Sequence, residues 1–277
     1  MHVIGVQLDI AWEDKPRNHT HLRELLAAHQ IPAGSLVVVP EMFDTGFSMN
    51  LEATAQADTR ESEAVLRELA MTYRCAVMGG VAAEVHDGKS KNQAVVFAPD
   101  GSELARYQKL QPFSHSGEHR YYPPGQRIVT FSWQGVTIAP LICYDLRFPE
   151  WFRMATQQGA EMFIVIACWP AKRSKHWVRL LQARAIENLA CVIGVNRCGE
   201  EPGLIFDGRS AAFDHLGRPL FEAAASEQVF CVDFDITSMR NWRAHFPALR
   251  DMRCQFTMLP PTHDDSPAMV SRGTKQP

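Results

Sequence analysis

The apolar positions of this chain change their period repeatedly, and the changes mark out its elements. "HVIGVQLDI" is apolar almost throughout and reads as a strand, whereas "RNHTHLRELLAAHQ" spaces its apolar residues three and four apart and reads as a helix. The strand "SLVVVPEMF" and the helix "ESEAVLRELAMTYR" repeat the alternation. Sheet then takes over: "CAVMGGVAAEV", "NQAVVFAPDG" and "SELARYQK" are separated by "HDGKS" and "PDG", turns that suit hairpins. "IVTFSW" and "VTIAPLICYD" pair across a "QG" turn. Helix "PEWFRMATQQ", strand "MFIVIACW", helix "HWVRLLQARAIENLA", strand "CVIGVNRC" and strands within "SAAFDHLGRPLFEA" and "QVFCVDFDI" complete the series.

"LVVVP", "FIVIAC" and "CVIGV" are apolar on nearly every residue, so both of their faces must be covered. "QVFCVDFD" alternates instead. Two sheets packed on each other, with helices over the outer face of each, satisfy both patterns and predict an α/β fold. From residue 260 onward "PPTHDDSPAMVSRGTKQP" has the composition of a segment that does not pack on its own. A single domain is therefore expected over residues 1–259, with a tail over 260–277.

With 277 residues and 46% hydrophobic composition, the chain can bury a large core. Its net charge of -3 and scattered Lys and Arg, clustered only in "AKRSK", argue against a nucleic-acid partner. No apolar run approaches the ~18–20 residues that cross a bilayer, and no signal-peptide pattern opens the chain, so a cytoplasmic protein is expected. The seven cysteines are odd in number and irregularly spaced, and no CxxC pair occurs. Free thiols in a reducing compartment follow, rather than staples or a structural zinc. A thiol-rich metal-binding or redox protein using Cys143, Cys168 and Cys198 is the alternative from another class; their spacing argues against it.

Three strands end in a polar residue where α/β folds gather their ligands: Glu41 after "LVVVP", Lys109 after "ELARYQ" and Cys143 after "IAPLI". Each alone has an ordinary explanation as a capping acid, a surface lysine or a core thiol. Together they supply a complete chemistry. A thiol near its ordinary pKa is mostly protonated, so a carboxylate must take its proton as attack begins, which Glu41 can do. Attack on an amide builds an oxyanion, for which Lys109 and the backbone N–H of Tyr144 are placed. Neither a metal nor an organic cofactor is required.

"VVPEMFDTGF", "YQKLQPF" and "LICYDLRFPEW" resemble the Glu-Lys-Cys segments of the nitrilase superfamily of carbon–nitrogen hydrolases, in order and over most of the chain. The resemblance implies a four-layer αββα sandwich of two packed mixed sheets with outer helices. It implies Glu41 as general base, Lys109 as oxyanion stabiliser, Cys143 as nucleophile, and Glu118 in "SGEHRYYPPG" as a second glutamate holding the lysine and the substrate. "GFSMN", "SGEHRYYPPG", "CWPAKRSKHW" and "RCGEEPGLIFDGRSAAFD" look most like the bacterial ω-amidase branch, although Cys168 stands where that branch would carry Asn. The substrate implied is a small ω-amido-α-keto acid; nitriles and N-carbamoyl amino acids are the alternatives within the superfamily. Its carboxylate needs a cation, either Arg147 or Arg173, and Phe47 and Trp169 are expected beside it. The bland role for Arg147 is a turn-fixing pair with Asp145 or Glu150. Trp151, Phe152, Trp177, Val178 and Leu181 exceed what one helix face needs, and with the resemblance they imply a homodimer or an assembly of dimers.

Overall fold

The computed structural model describes residues 1–256, so the tail expected over 260–277 lies outside the described residues. In the first half of the chain, β1 (His2–Gln7), β2 (Leu36–Val38) and β3 (Ala76–Ala82) run parallel. Helix α1 (Lys15–Ala27) joins the first two strands; the short α2 (Leu51–Thr54) and α3 (Glu61–Tyr73) join the next two. β4 (Asn92–Phe97) and β5 (Glu103–Gln108) then add antiparallel.

The second half repeats this connectivity. After β6 (Phe131–Trp133), strand β7 (Val136–Ile142), α4 (Pro149–Gln157), β8 (Met162–Ala167), α5 (Ser174–Asn188) and β9 (Cys191–Asn196) build a second parallel trio. A separate hairpin of β10 (Cys198–Glu201) and β11 (Leu204–Asp207) intervenes before β12 (Ala211–Phe213) and β13 (Pro219–Glu222) add antiparallel. β14 (Gln228–Asp233) returns beside β1, and α6 (Ile236–His245) follows it. The two six-stranded sheets are ordered β14-β1-β2-β3-β4-β5 and β13-β12-β9-β8-β7-β6.

The period of two in the first sheet sorts its residues between two cores. Val3, Leu36, Val38, Met78 and Val96 join a core shared with the second sheet. Their alternates Ile4, Val6, Val37, Val77 and Val95 pack with Leu22 and Leu26 of α1 and Leu66 and Leu69 of α3. On the far side α5 turns Trp177, Leu181 and Ala185 to the second sheet, a spacing of four that keeps one helix face inward. A Cβ at Gly194 would lie 2.4 Å from Leu181 and 2.5 Å from Trp177, so only glycine lets the helix sit this close to β9. The result is the expected αββα sandwich.

The apolar residues read as a surplus on α4 and α5 are not spare. Phe152, Trp177 and Leu181 are fully buried within the protomer and Val178 nearly so, while Trp151 packs partly against the same core. Phe152 meets Phe163 edge-on at 5.0 Å, and Trp177 meets Trp169 at 5.6 Å. Two elements escaped the apolar pattern. Helix α6 buries only Met239; an Asp235 cap starts it, and Arg243 holds it by donating to the carbonyls of Ala160, Asn188 and Leu189. The β10/β11 hairpin is likewise mostly polar or exposed.

Candidate active site

Glu41 lies just past β2, in a turn where Met42 adopts φ 45° and the chain presses on β3. A Cβ on Gly80 would fall 2.5 Å from the Glu41 Cα, so that approach needs a glycine. The Glu41 carboxylate is fully buried. Its Oε1 accepts from Lys109 Nζ at 2.9 Å and Asn92 Nδ2 at 2.7 Å, and its Oε2 from the backbone N–H of Cys168 at 2.9 Å. Lys109 Nζ also donates to both oxygens of Glu118, at 3.0 and 2.9 Å. Glu118 is fully buried and accepts further from Asn92 and from the Phe113 N–H.

Cys143 meets this cluster from the other sheet. Strand β7 stops at Ile142, and Cys143 takes φ 47° at the start of a short 3₁₀ turn, Cys143–Arg147. The left-handed region costs a non-glycine residue about 1–2 kcal/mol, and the turn directs the largely buried thiol off the strand toward a cavity. Asp145 secures it, accepting from the Ile142 N–H, the Tyr107 hydroxyl at 2.7 Å and the Gln111 N–H at 2.8 Å. The bond to Gln111 ties the thiol's turn to the segment that carries Lys109.

The cavity is about 290 Å3, at the small end for ligand sites, and Lys109, Cys143, Tyr144, Phe47 and Trp169 all line it. Arg147 and Arg173 line it as well. Arg147 pairs with neither Asp145 nor Glu150: its guanidinium lies 4.8 Å from the Trp169 ring centre and its Nη2 is 3.3 Å from His176 Nδ1. Arg173 lies over Phe113 at 5.3 Å. Asn196 fixes Trp169 by accepting from its N–H and donating to its carbonyl. Glu118 sits behind Lys109. The structure thus brings every candidate residue to one place.

Electrostatics sets the resting protonation. Burial pushes the Cys143 thiol well above its ordinary pKa, Glu41 raises it further, and Lys109 opposes them. Burial would lower the Lys109 pKa, yet Glu118 and Glu41 together hold it well above the usual lysine value. The cluster therefore rests as neutral thiol and ammonium, and a thiolate forms only as its proton leaves during attack.

Sequence reasoning missed Asn92, Asp145 with Tyr107, and Glu201. Asn92 is the first of two amides, Asn92 and Gln93, that open a strand apolar from Ala94 onward, a signal indistinguishable from an edge residue. Glu201, from the β10/β11 hairpin, lines the cavity and accepts from the buried Arg197 at 3.1 Å; burial lifts its carboxyl to about 7.

A buried carboxylate, a lysine and a thiol on a strained turn, at the ends of paired strands, define a cysteine hydrolase. The carbon-nitrogen hydrolase family profile matches residues 5–244. Omega-amidase YafV of Yersinia enterocolitica is 36% identical over 248 residues, 89% of this chain and 94% of that protein. The 2-oxoglutaramate amidase of Bacillus subtilis is 31% identical, over 90% of this chain and 96% of its own. The crystal structure of XC1258 from Xanthomonas campestris, a CN-hydrolase superfamily protein with an arsenic adduct in its active site, superposes with a TM-score of 0.85. It shares 31% identity and covers 93% of this chain and 98% of that one. The chain belongs to the carbon-nitrogen hydrolase family, and the enzyme is an amidase.

Proposed function

We propose that the bond cleaved is the terminal amide of a small ω-amido-α-keto acid, of the 2-oxoglutaramate or 2-oxosuccinamate type, giving the dicarboxylate and ammonia. The observation that carries this reading is the pair of guanidiniums, Arg147 and Arg173, on the wall of an aromatic cavity that also presents Cys143. Two cations in so small a site suit a substrate whose far end is a carboxylate, which a guanidinium grips through parallel N–H bonds. The names of the omega-amidase and 2-oxoglutaramate amidase relatives agree.

In this reading Cys143 Sγ attacks the amide carbon while its proton passes to Glu41. The oxyanion is met by Lys109 Nζ and by the N–H of Tyr144, whose place in the first turn of a 3₁₀ segment leaves it no partner within that turn. Collapse of the adduct sends the Glu41 proton to the departing nitrogen, ammonia leaves and a thioester remains. Glu41 then takes a proton from water as it attacks the thioester carbon. The carboxylic acid departs and the proton returns to sulfur. Glu118 keeps Lys109 charged and placed, and Phe47 and Trp169 shape the substrate's path.

A panel of ω-amides, neutral amides, nitriles and N-carbamoyl amino acids tests this. The expected order of kcat/KM puts the keto-acid ω-amide first; a nitrile or carbamoyl substrate in first place overturns the substrate. Arg147→Lys keeps the charge and loses the fork, so KM for the anionic amide should rise about tenfold with a neutral amide little changed. Equal losses on both would return Arg147 to a structural role.

The seven unpaired thiols support a cytoplasmic setting, and among the described residues no helix is long and apolar enough to cross a membrane. A homodimer, with residues 1–259 as its one domain, is supported by exposed Ile186, Trp242 and Phe246 near the turn at Gly217, rather than by the buried residues of α4 and α5. Sedimentation showing a monomer at all concentrations would rule it out.

A further inference from the structure

The two buried glutamates and the lysine hold an imbalance. Glu41 and Glu118 are fully buried, and among the described residues Lys109 is the one ammonium that bonds both, so two buried carboxyl groups share a single cation. An ammonium has three hydrogens, and the three contacts to Glu41 Oε1, Glu118 Oε1 and Glu118 Oε2 use all of them. If Lys109 is to meet an oxyanion, one of those bonds must loosen during turnover, and the carboxylate it leaves needs another donor.

Asn92 is built to be that donor. It is 1% exposed, and its Nδ2 gives one hydrogen to Glu41 Oε1 at 2.7 Å and the other to Glu118 Oε1 at 3.0 Å. Its backbone carbonyl accepts the Lys109 N–H at 2.9 Å, so one residue touches three members of the cluster. The orientation of its amide is fixed by charge, because the flipped form would aim Oδ1 at two carboxylates. The consequence is that Oδ1 is buried with no hydrogen-bond partner among the described residues. An orphaned carbonyl costs about 1–3 kcal/mol, and a side chain that only filled space would not keep an amide there.

We propose that Asn92 is a positioning residue of the reaction: it fixes Glu41 and Glu118 on either side of Lys109 and stabilises their charged forms while the lysine turns to the oxyanion. The inference rests on Glu41 acting as base and Cys143 as nucleophile. Two donated hydrogen bonds favour a carboxylate over its acid, so their loss should show in the acid limb of the pH profile.

The test uses the full chain with a small ω-amide acid as substrate, comparing Asn92→Ala, Asn92→Ser and the isosteric Asn92→Asp. Asn92→Ala should lower kcat about 10- to 100-fold with KM within threefold, and move the acid limb of kcat/KM upward by about one pH unit. Asn92→Ser, retaining one donor, should fall between Ala and wild type. Asn92→Asp, placing a third carboxylate against the other two, should be at least about tenfold worse than Ala. If Asp does not fold, the Ala and Ser profiles decide. Folded Ala and Ser variants with wild-type kcat and an unmoved acid limb, or losses confined to melting temperature, overturn the inference. An active Glu41→Gln enzyme would instead sink the base assignment, whereas an inactive Glu41→Gln beside a normal Asn92→Ala sinks only the role of Asn92.

Discussion

The two halves of the chain share a connectivity and divide the chemistry. In each, three parallel strands linked by helices are followed by two antiparallel ones: β1-β2-β3-β4-β5 in one sheet and β7-β8-β9-β12-β13 in the other. The equivalent ends of β2 and β8 meet at the seam, where the Cys168 N–H donates to Glu41 Oε2 and the Cys168 thiol lies 3.1 Å from the Glu41 carbonyl. The first half supplies the charge, Glu41 and Lys109 just past strand ends and Glu118 in the segment after β5, with Asn92 between the two glutamates. The second supplies a thiol on a strained turn, the two guanidiniums Arg147 and Arg173, and Trp169, while Phe47 of the first half completes the aromatic wall of the cavity. The topology brings strand ends together; the residue placed at each end decides whether it moves protons or forms the bond. Substitutions in the two halves should therefore fail differently.

The largest effect is expected in the second half. Cys143→Ala removes the atom that forms the thioester and should abolish turnover in a protein that still folds, since alanine also tolerates the turn at modest cost. Substrate should protect Cys143, and no other cysteine, from iodoacetamide as mapped by mass. Burial opposes ionisation of Cys168, Cys191 and Cys198, and the Glu41 charge raises the Cys168 thiol further, so protection of another thiol would break the division proposed here.

In the first half the loss should be large but partial. Glu41→Gln and Lys109→Ala each leave the nucleophile in place and should lower kcat by about 10²-fold or more, the scale of a lost base or one lost oxyanion donor. Lys109→Ala should also lose stability, because it strands Glu41 and Glu118 with no cation. Near-normal kcat in either folded variant would remove that residue from the mechanism. Glu118→Gln should affect turnover more than folding, since an amide can still accept from Lys109.

Where the chemistry broke a pattern, it could be read from residues alone. Glu41 and Cys143 stand out because each interrupts an apolar run at a strand end, and Lys109 because it follows a third strand directly. The repeated topology left no such mark: it is a repeat of connections, and the strands equivalent in it share no residue pattern. Asn92, Tyr107 and Asp145 were hidden for a different reason. The partners that matter lie far along the chain, 51 and 26 positions away for Asn92 with Glu41 and Glu118 and 38 for Tyr107 with Asp145, so no local spacing announces them. Helix α6 and the β10/β11 hairpin are held by arginine hydrogen bonds to carbonyls, not by an apolar stripe, and periodicity is blind to that. The residues on α4 and α5 misled in the opposite sense: a count of large side chains says nothing of how many neighbours each helix already has.

The smallest effect concerns what stands behind Glu41 in the first half, and it has no counterpart described in the second. Three residues past the base, Asp44 is fully buried; its Oδ2 accepts from the Ser62 hydroxyl, and the Ser62 oxygen meets His19 Nε2 at 2.9 Å. Burial raises the Asp44 carboxyl from 3.8 to about 6, so between those values the folded protein keeps a proton that the unfolded chain has lost. Asp44 thus weakens the fold as pH rises from about 4 to about 6. Burial lowers His19 from 6.5 to about 4, so over nearly the same window the unfolded chain binds a proton that the folded one refuses, and His19 strengthens the fold as pH rises. Each shift is worth roughly 2–3 kcal/mol, and in the intact protein the two slopes largely cancel. Removing one group should expose the other. Asp44→Asn should gain stability between pH 4.5 and 6.5 relative to wild type, and His19→Gln should lose it, each by about 2 kcal/mol across the interval in denaturant unfolding. Two variants with the same slope would show that Asp44 and His19 do not titrate in opposition, and the turn that carries Glu41 would then owe its pH tolerance to other groups.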